Sequence, residues 1–317
     1  MYSRSVKPKA FLCRRFTPTV EKALLERFNL KINEGDQILS PDELTQLAIG
    51  SQVLIVTTTE SVNAEVLQRL SSTLRCIATL SVGCDHIDTV KTKKLGISLL
   101  HIPDILSDTY AEIAMMLLLN ACRRAYEADR LVRSGKWLGW GPTQLLGTRL
   151  KGKRMLVFGM GHIGREIAHR ARAFGMTIHY HNRQRLSREL EGDAVFHRAL
   201  DDGLKIADVL MIAAPVSAKP KKIINAERIA CMPVGAIVVN ISQGELIEDA
   251  ALISALSSGR LFAAGLDVFA NEPHIDERYR TLDNVFLTPN IGTAAYETHE
   301  AMGKMLLDGL DTMIADL

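Results

Sequence analysis

Two stretches of this sequence combine residue types and spacing that could do chemistry, and the first is built on glycine. Gly159-Met160-Gly161-His162-Ile163-Gly164 follows the strand-like run Arg154-Met155-Leu156-Val157-Phe158 and opens a helical pattern, Arg165 to Phe174. In that setting Gly159 permits a tight turn, and Gly161 lets the backbone approach a pyrophosphate. Gly164 lets the helix lie close on the strand, so the free amides of His162, Ile163 and Gly164 face the phosphates. An ordinary glycine-rich turn shares the letters but not the strand before and the helix after. The spacing predicts a dinucleotide site.

The second stretch is His181-Asn182-Arg183-Gln184-Arg185, about twenty residues further on, where an acid would grip the ribose 2′-hydroxyl of NAD. No acid is there. Asn182 can hydrogen-bond without repelling a phosphate, and Arg183 and Arg185 can pair with one. The expected cofactor is NADP(H) in preference to NAD(H), against the competing reading of a solvated basic turn. Other chemistries lack support: no His, Cys, Asp and Glu cluster has metal-ligand spacing, and Gly-x-Ser-x-Gly is absent.

The elements that must position these residues alternate. Strands are expected at Ala10–Cys13, Val53–Val56, Cys76–Leu80 and Ile97–Leu100, then at Arg154–Phe158, Met176–Tyr180, Val209–Ile212, Ala236–Asn240 and Phe262–Leu266. Helical stretches lie between them, one opened by Ser40-Pro41-Asp42-Glu43, a capping box with proline at the first helical position. Such alternation implies βαβ units and parallel sheets covered on both faces. A long helical pattern, about Asp108 to Arg133, follows Pro103, and an irregular loop with Gly135, Gly139 and Pro142 succeeds it. The fold class is α/β: two Rossmann-like, flavodoxin-like parallel-sheet domains, with a cleft between them suited to a small substrate. The last helical stretch, Tyr296 to about Ile314, can return to the first half. The expected division is 1–103 with 293–317, and 104–292.

Composition sets the class of protein. The chain has 317 residues, 47% hydrophobic and 23% charged, enough for two packed domains. Its 38 basic and 36 acidic residues leave +2, so no field is built for nucleic acid or an acidic membrane. Cys13, Cys76, Cys84, Cys122 and Cys231 form no Cys-x-x-Cys pair and read as reduced thiols in the cytoplasm. Met1-Tyr2-Ser3-Arg4 runs into Lys7, Pro8 and Lys9 without an apolar stretch, so no export signal is expected.

Several motifs in order resemble one family. Ser81-Val82-Gly83-Cys84-Asp85-His86-Ile87-Asp88, Pro103 to Glu112, the glycine loop, and Gly265-Leu266-Asp267-Val268-Phe269 with Asn271-Glu272-Pro273 together resemble the D-isomer-specific 2-hydroxyacid dehydrogenases. The likeness is strongest to their glyoxylate/hydroxypyruvate reductase branch. The resemblance implies a lid domain from the N-terminal third plus the last helix, a central NAD(P) domain, and a homodimer through the helix near 108–133. It implies that the amides of Val82 and Gly83 hold a substrate carboxylate, and that Thr109, Pro215 and Asp267 join the glycine loop at the cofactor.

The family's catalytic set is an arginine for the 2-oxo-acid carboxylate and carbonyl, a histidine that gives the proton, and a glutamate that orients the histidine. By resemblance Glu272 keeps the glutamate's place, while Gln243 and Asn290 stand where the arginine and histidine are expected. Asn290 can point an amide N–H at a carbonyl but has no proton to give near neutral pH. Gln243 keeps a donor and loses the charged fork. His86 and His101 are alternative proton sources, against the plainer readings of a capping or surface histidine. Two functions follow: a reductase of a small 2-oxo acid with weakened or altered activity, or a cofactor-binding protein for sensing or partner interaction.

Overall fold

The computed structural model describes residues 7–81, 83–102, 107–214 and 222–314. The chain forms two compact units, Met1–Ile105 with Ala294–Leu317, and Leu106–Thr293. In the first, β1 (Lys9–Leu12), β2 (Asn29–Ile32), β3 (Val53–Val56), β4 (Cys76–Thr79) and β5 (Ser98–His101) form a parallel sheet of order β2-β1-β3-β4-β5. Every residue of β3 and β4 is buried, as expected of a parallel sheet covered on both faces. The helix Pro41–Ala48 starts at the capping box: the Ser40 amide donates to Glu43 Oε2 at 2.9 Å, and the Glu43 amide donates back to Ser40 Oγ. The helix Tyr296–Ile314 belongs to this unit. Arg27 clamps Asp311 at 2.7 and 2.9 Å, and Gly303 and Gly309 leave room for Val20 and Leu100.

The second unit is a seven-stranded parallel sheet of β6 (Arg154–Phe158), β7 (Thr177–His181), β8 (Val195–Phe196), β9 (Val209–Ile212), β10 (Ala236–Asn240), β11 (Leu261–Leu266) and β12 (Val285–Leu287). Its order is β12-β11-β10-β9-β6-β7-β8, with an apolar core on each face. From β6 the chain proceeds outward through β7 and β8. From β9 it proceeds the other way. The carboxyl ends of β6 and β9 therefore flank a topological switch point, where ligands of open α/β sheets bind.

The long helix expected over 108–133 is two helices, Ser107–Arg123 and Ala125–Arg133. Arg124 between them is left-handed, φ 54°, with its guanidinium forked on Glu127 at 2.8 and 2.6 Å. The Cys122 carbonyl accepts the Thr148 amide at 2.8 Å, which diverts it from the helical ladder. The first helix buries Ala111, Ala114, Leu117, Leu118 and Ala121 in its own unit, whereas the second buries no residue. No helix among the described residues is long and apolar enough to cross a membrane.

Candidate active site

The glycine loop leaves the carboxyl end of β6. Gly159 has φ 101°, and a side chain there would collide with the backbone of Ala214, just beyond β9. A side chain on Gly164 would strike the Gly159 carbonyl. At Gly161 the added atom meets nothing within 4 Å. The helix His162–Ala173 starts on Gly161 with no side-chain cap, so its first amides, at His162, Ile163 and Gly164, lack helical partners. Open space before uncapped amides fits a pyrophosphate.

Around the adenosine end two of the expected cofactor residues have partners within the chain. Asn182 does not offer a free amide: its Oδ1 accepts the Met160 amide at 2.7 Å and its Nδ2 donates to the Met160 carbonyl at 3.4 Å. It staples the glycine loop to the end of β7. Arg185 is committed as well, forked on Glu191 at 3.0 and 2.9 Å and lying 5.9 Å from the Phe196 ring. Glu191 also accepts from Tyr180 Oη at 3.0 Å, and the Arg185 guanidinium holds the Glu191 carboxyl below its usual range. Arg183 is exposed and has neither hydrogen bond nor ion pair among the described residues.

Asp267, one residue beyond β11, is fully buried. Its Oδ1 accepts from Thr288 Oγ1 at 2.6 Å and from the Ile291 amide at 2.9 Å. Its Oδ2 is buried with no partner, and Gly292 and the Tyr110 ring lie beside it. A buried acceptor without a donor costs about 1–3 kcal/mol. A carboxamide such as that of nicotinamide would supply the donor. Thr109 sits half-buried in the first turn of the helix Ser107–Arg123. Pro215 and Val82 lie outside the described residues.

Three adjacent strand ends bring the catalytic candidates together. Asn240 closes β10, fully buried; its Nδ2 donates to the Gln243 carbonyl at 2.9 Å, and its Oδ1 accepts the Ser242 amide at 3.1 Å. Ser242 Oγ donates to the Ala214 carbonyl, tying this loop to the end of β9. Beyond β11, Glu272 Oε1 accepts the Phe269 amide at 2.8 Å. Beyond β12, Asn290 is left-handed, φ 53°, and its amide donates to the Asp267 carbonyl at 2.8 Å. Its Nδ2 donates to Glu272 Oε2 at 2.9 Å.

That last bond orients the Asn290 amide and leaves the second Nδ2 hydrogen, the donor expected to meet a carbonyl, without a partner among the described residues. A carboxylate only accepts, so the amino side of the amide must face Glu272. The Asn290 Oδ1 is left with no hydrogen bond among the described residues. Gln243, Glu272 and Asn290 line a polar pocket of about 300 Å³ with Ser242, Glu245 and Asn271. Across the Glu272–Asn290 pair lies a more apolar pocket of about 320 Å³, lined by Phe269, Ile275, Leu287 and Arg280. Sequence reasoning passed over Asn240, Ser242 and Glu245. Asn240 alone left a signal, a polar residue ending an otherwise apolar strand.

In the first unit, Ser81 Oγ donates to the Gly83 carbonyl at 2.7 Å and lies 2.7 Å from Thr79 Oγ1. His86 Nε2 is 2.9 Å from the same Thr79 oxygen, and burial holds its pKa below the usual histidine value. His86 thus belongs to the hydrogen-bond network of this loop. His101 is exposed at the end of β5. Among the described residues no group of three or more His, Cys, Asp and Glu could hold a metal ion.

Residues 115–292 match the family model of the D-isomer specific 2-hydroxyacid dehydrogenase NAD binding domain. The chain is 37% identical over 290 residues to glycerate dehydrogenase of Hyphomicrobium methylovorum, covering 91% of this chain and 90% of that protein. A crystal structure from Polaromonas sp. JS6 66, assigned to the NAD-binding D-isomer specific 2-hydroxyacid dehydrogenases, superposes with a TM-score of 0.96. It is 57% identical and covers 98% of this chain and 97% of its own. NADPH-dependent glyoxylate/hydroxypyruvate reductase of Sinorhizobium meliloti, crystallised with NADP and malonate, gives a TM-score of 0.83. There the identity is 28%, over 97% of this chain and 94% of that one.

Proposed function

The chain belongs to the D-isomer specific 2-hydroxyacid dehydrogenase family, and from that premise we propose that it is an NADPH-dependent reductase of a small 2-oxo acid or similar carbonyl, with weak turnover of glyoxylate. One observation carries the reading: the unpartnered buried oxygen of Asp267 lies on the strand end that leads to Glu272. Such an oxygen is what a nicotinamide carboxamide would satisfy beside the substrate pocket. In this reading the uncapped amides of His162, Ile163 and Gly164 hold the pyrophosphate, and Arg183 pairs with the 2′-phosphate. The bound nicotinamide supplies the hydride. Glu272 fixes Asn290, and the Val82–Gly83 loop takes the carboxylate. Weakness follows from the pocket's neutral Gln243 and Asn290, since general acid catalysis typically contributes about 10²–10⁴-fold.

A second reading is favoured by those same two amides: a cofactor-binding protein without turnover, acting in sensing or partner binding. Loss of NADPH absorbance with glyoxylate, hydroxypyruvate, pyruvate and uncharged ketones separates the two. Slow but saturable oxidation supports the reductase, and binding without oxidation of any substrate supports the second reading. We further propose a homodimer formed through the 107–133 helices. We place it in the cytoplasm because all five cysteines are free.

A further inference from the structure

We propose that Tyr180 and Glu191 are positioning residues for the cofactor's 2′-phosphate: together they hold the loop that presents Arg183. The inference rests on the reading above, in which Arg183 pairs with that phosphate, and adds what keeps the arginine in place. After β7 the chain leaves the sheet through residues 182–187. Asn182 ties the start of this loop to both backbone groups of Met160. Near its end, the Leu186 amide donates to Tyr180 Oη at 3.1 Å, and Arg185 is turned back on Glu191. Between the ties, Arg183 and Gln184 are exposed and have no hydrogen bond among the described residues. The loop is closed at its feet and open at its tip.

The second tie is a chain of hydrogen bonds with one direction. Tyr180 Oη has a single proton. The oxygen accepts the Leu186 N–H, so its own proton goes to Glu191 Oε1, at 3.0 Å. The Glu191 carboxylate ends the chain and also accepts Arg185 Nε and Nη2, at 3.0 and 2.9 Å. Tyr180 is fully buried and Glu191 is 6% exposed, a setting in which linked bonds strengthen one another. The Phe196 ring backs the arrangement, 5.2 Å from the Tyr180 ring and 5.9 Å from the Arg185 guanidinium. Electrostatics agrees. Of the loop's two arginines, Glu191 neutralises Arg185 and leaves Arg183 uncompensated. A dianion is thereby drawn to one cation on a loop already ordered, and the cost of ordering it on binding is spared.

Tyr180→Phe and Glu191→Gln, each in the full chain, test this by fluorescence titration with NADPH and with NADH. Phenylalanine keeps the ring packing and removes the oxygen. Glutamine keeps an acceptor for Tyr180 and removes the charged fork. We expect the NADPH Kd to rise about 3–10-fold in each, and the NADH Kd to stay within about twofold. A merely structural role would weaken both cofactors together and leave their ratio unchanged. In an Arg183→Ala background the same changes should leave NADPH affinity unaltered, because the residue they position is gone. If the unmodified chain binds NADH as tightly as NADPH, the 2′-phosphate reading falls and the inference with it. If that chain prefers NADPH, and Tyr180→Phe either keeps the preference or weakens NADPH equally without Arg183, the inference alone falls. Tighter NADPH binding by Glu191→Gln also overturns it, since the released Arg185 would then be the phosphate's partner. Tyr180→Phe decides alone where Glu191→Gln does not fold.

Discussion

At the scale of single residues, the two outer glycines of the loop and the middle one serve different ends. Gly159→Ala should unfold the loop against Ala214 and lower the melting temperature. Gly161→Ala points its methyl into open space, so melting should be unchanged while NADPH affinity falls, which titration calorimetry on both variants would read. Arg183→Ala should weaken NADPH by about 1.5–3 kcal/mol, the worth of a charge-assisted hydrogen bond, and leave NADH nearly unchanged. Equal loss for both cofactors would remove Arg183 from the 2′-phosphate. Restoring charge and proton donor together, Gln243→Arg with Asn290→His, should raise glyoxylate kcat by about 10²-fold or more. The gain should exceed the product of the two single effects, because both act on one transition state. The glycine loop was legible in the sequence because a tight turn and a close approach demand glycine. The commitments of Asn182 and Arg185 were not, because their partners, Met160 and Glu191, are fixed by the folded geometry of β7 and its neighbours.

At the scale of elements, legibility follows position in the sheet. Most interior strands, from β3 and β4 to β9 and β10, are continuous apolar runs and could be read directly. The three missed strands, β2, β8 and β12, are all sheet edges. An edge strand is short or half exposed, so neither a buried run nor clean alternation marks it. The break at Arg124 was hidden for another reason: the left-handed residue is an arginine, and the contacts that hold it come from Glu127 and Thr148. One edge has a pH signature. His179 on β7 and His197 after β8 lie nitrogen to nitrogen at 2.9 Å, and burial, for His179 joined by the other ring's charge, holds both below the usual histidine pKa. The unfolded chain then takes up protons first. Stability is complete above the unfolded value, about 6.5, and declines as pH falls through it toward the folded values. Thermal melts between neutral and mildly acidic pH should show this decline, and His197→Gln should flatten it.

At the scale of the whole molecule, the expected dimer acquires a changed rationale. The helix Ser107–Arg123 spends its apolar face inside its own unit, whereas the surplus lies further along the chain. Val132, Trp137, Leu138 and Trp140 are exposed by 59, 52, 100 and 84%. We propose that this run is the dimer's interaction surface; light scattering should then give twice the 35.0 kDa of the chain. Val132→Glu with Trp140→Glu should return a single-chain particle, and a wild-type monomer at micromolar concentration would refute the dimer. The discontinuous first unit has a consequence in time. Its closing helix, Tyr296–Ile314, is made only after the entire second unit, so Val20, Leu100 and Arg27 wait for their partners. During synthesis that delay spans roughly 190 residues at about 5–20 residues per second, about 10–40 s. Through this interval the nascent first unit presents an uncovered apolar face, the surface a chaperone at the ribosome would recognise.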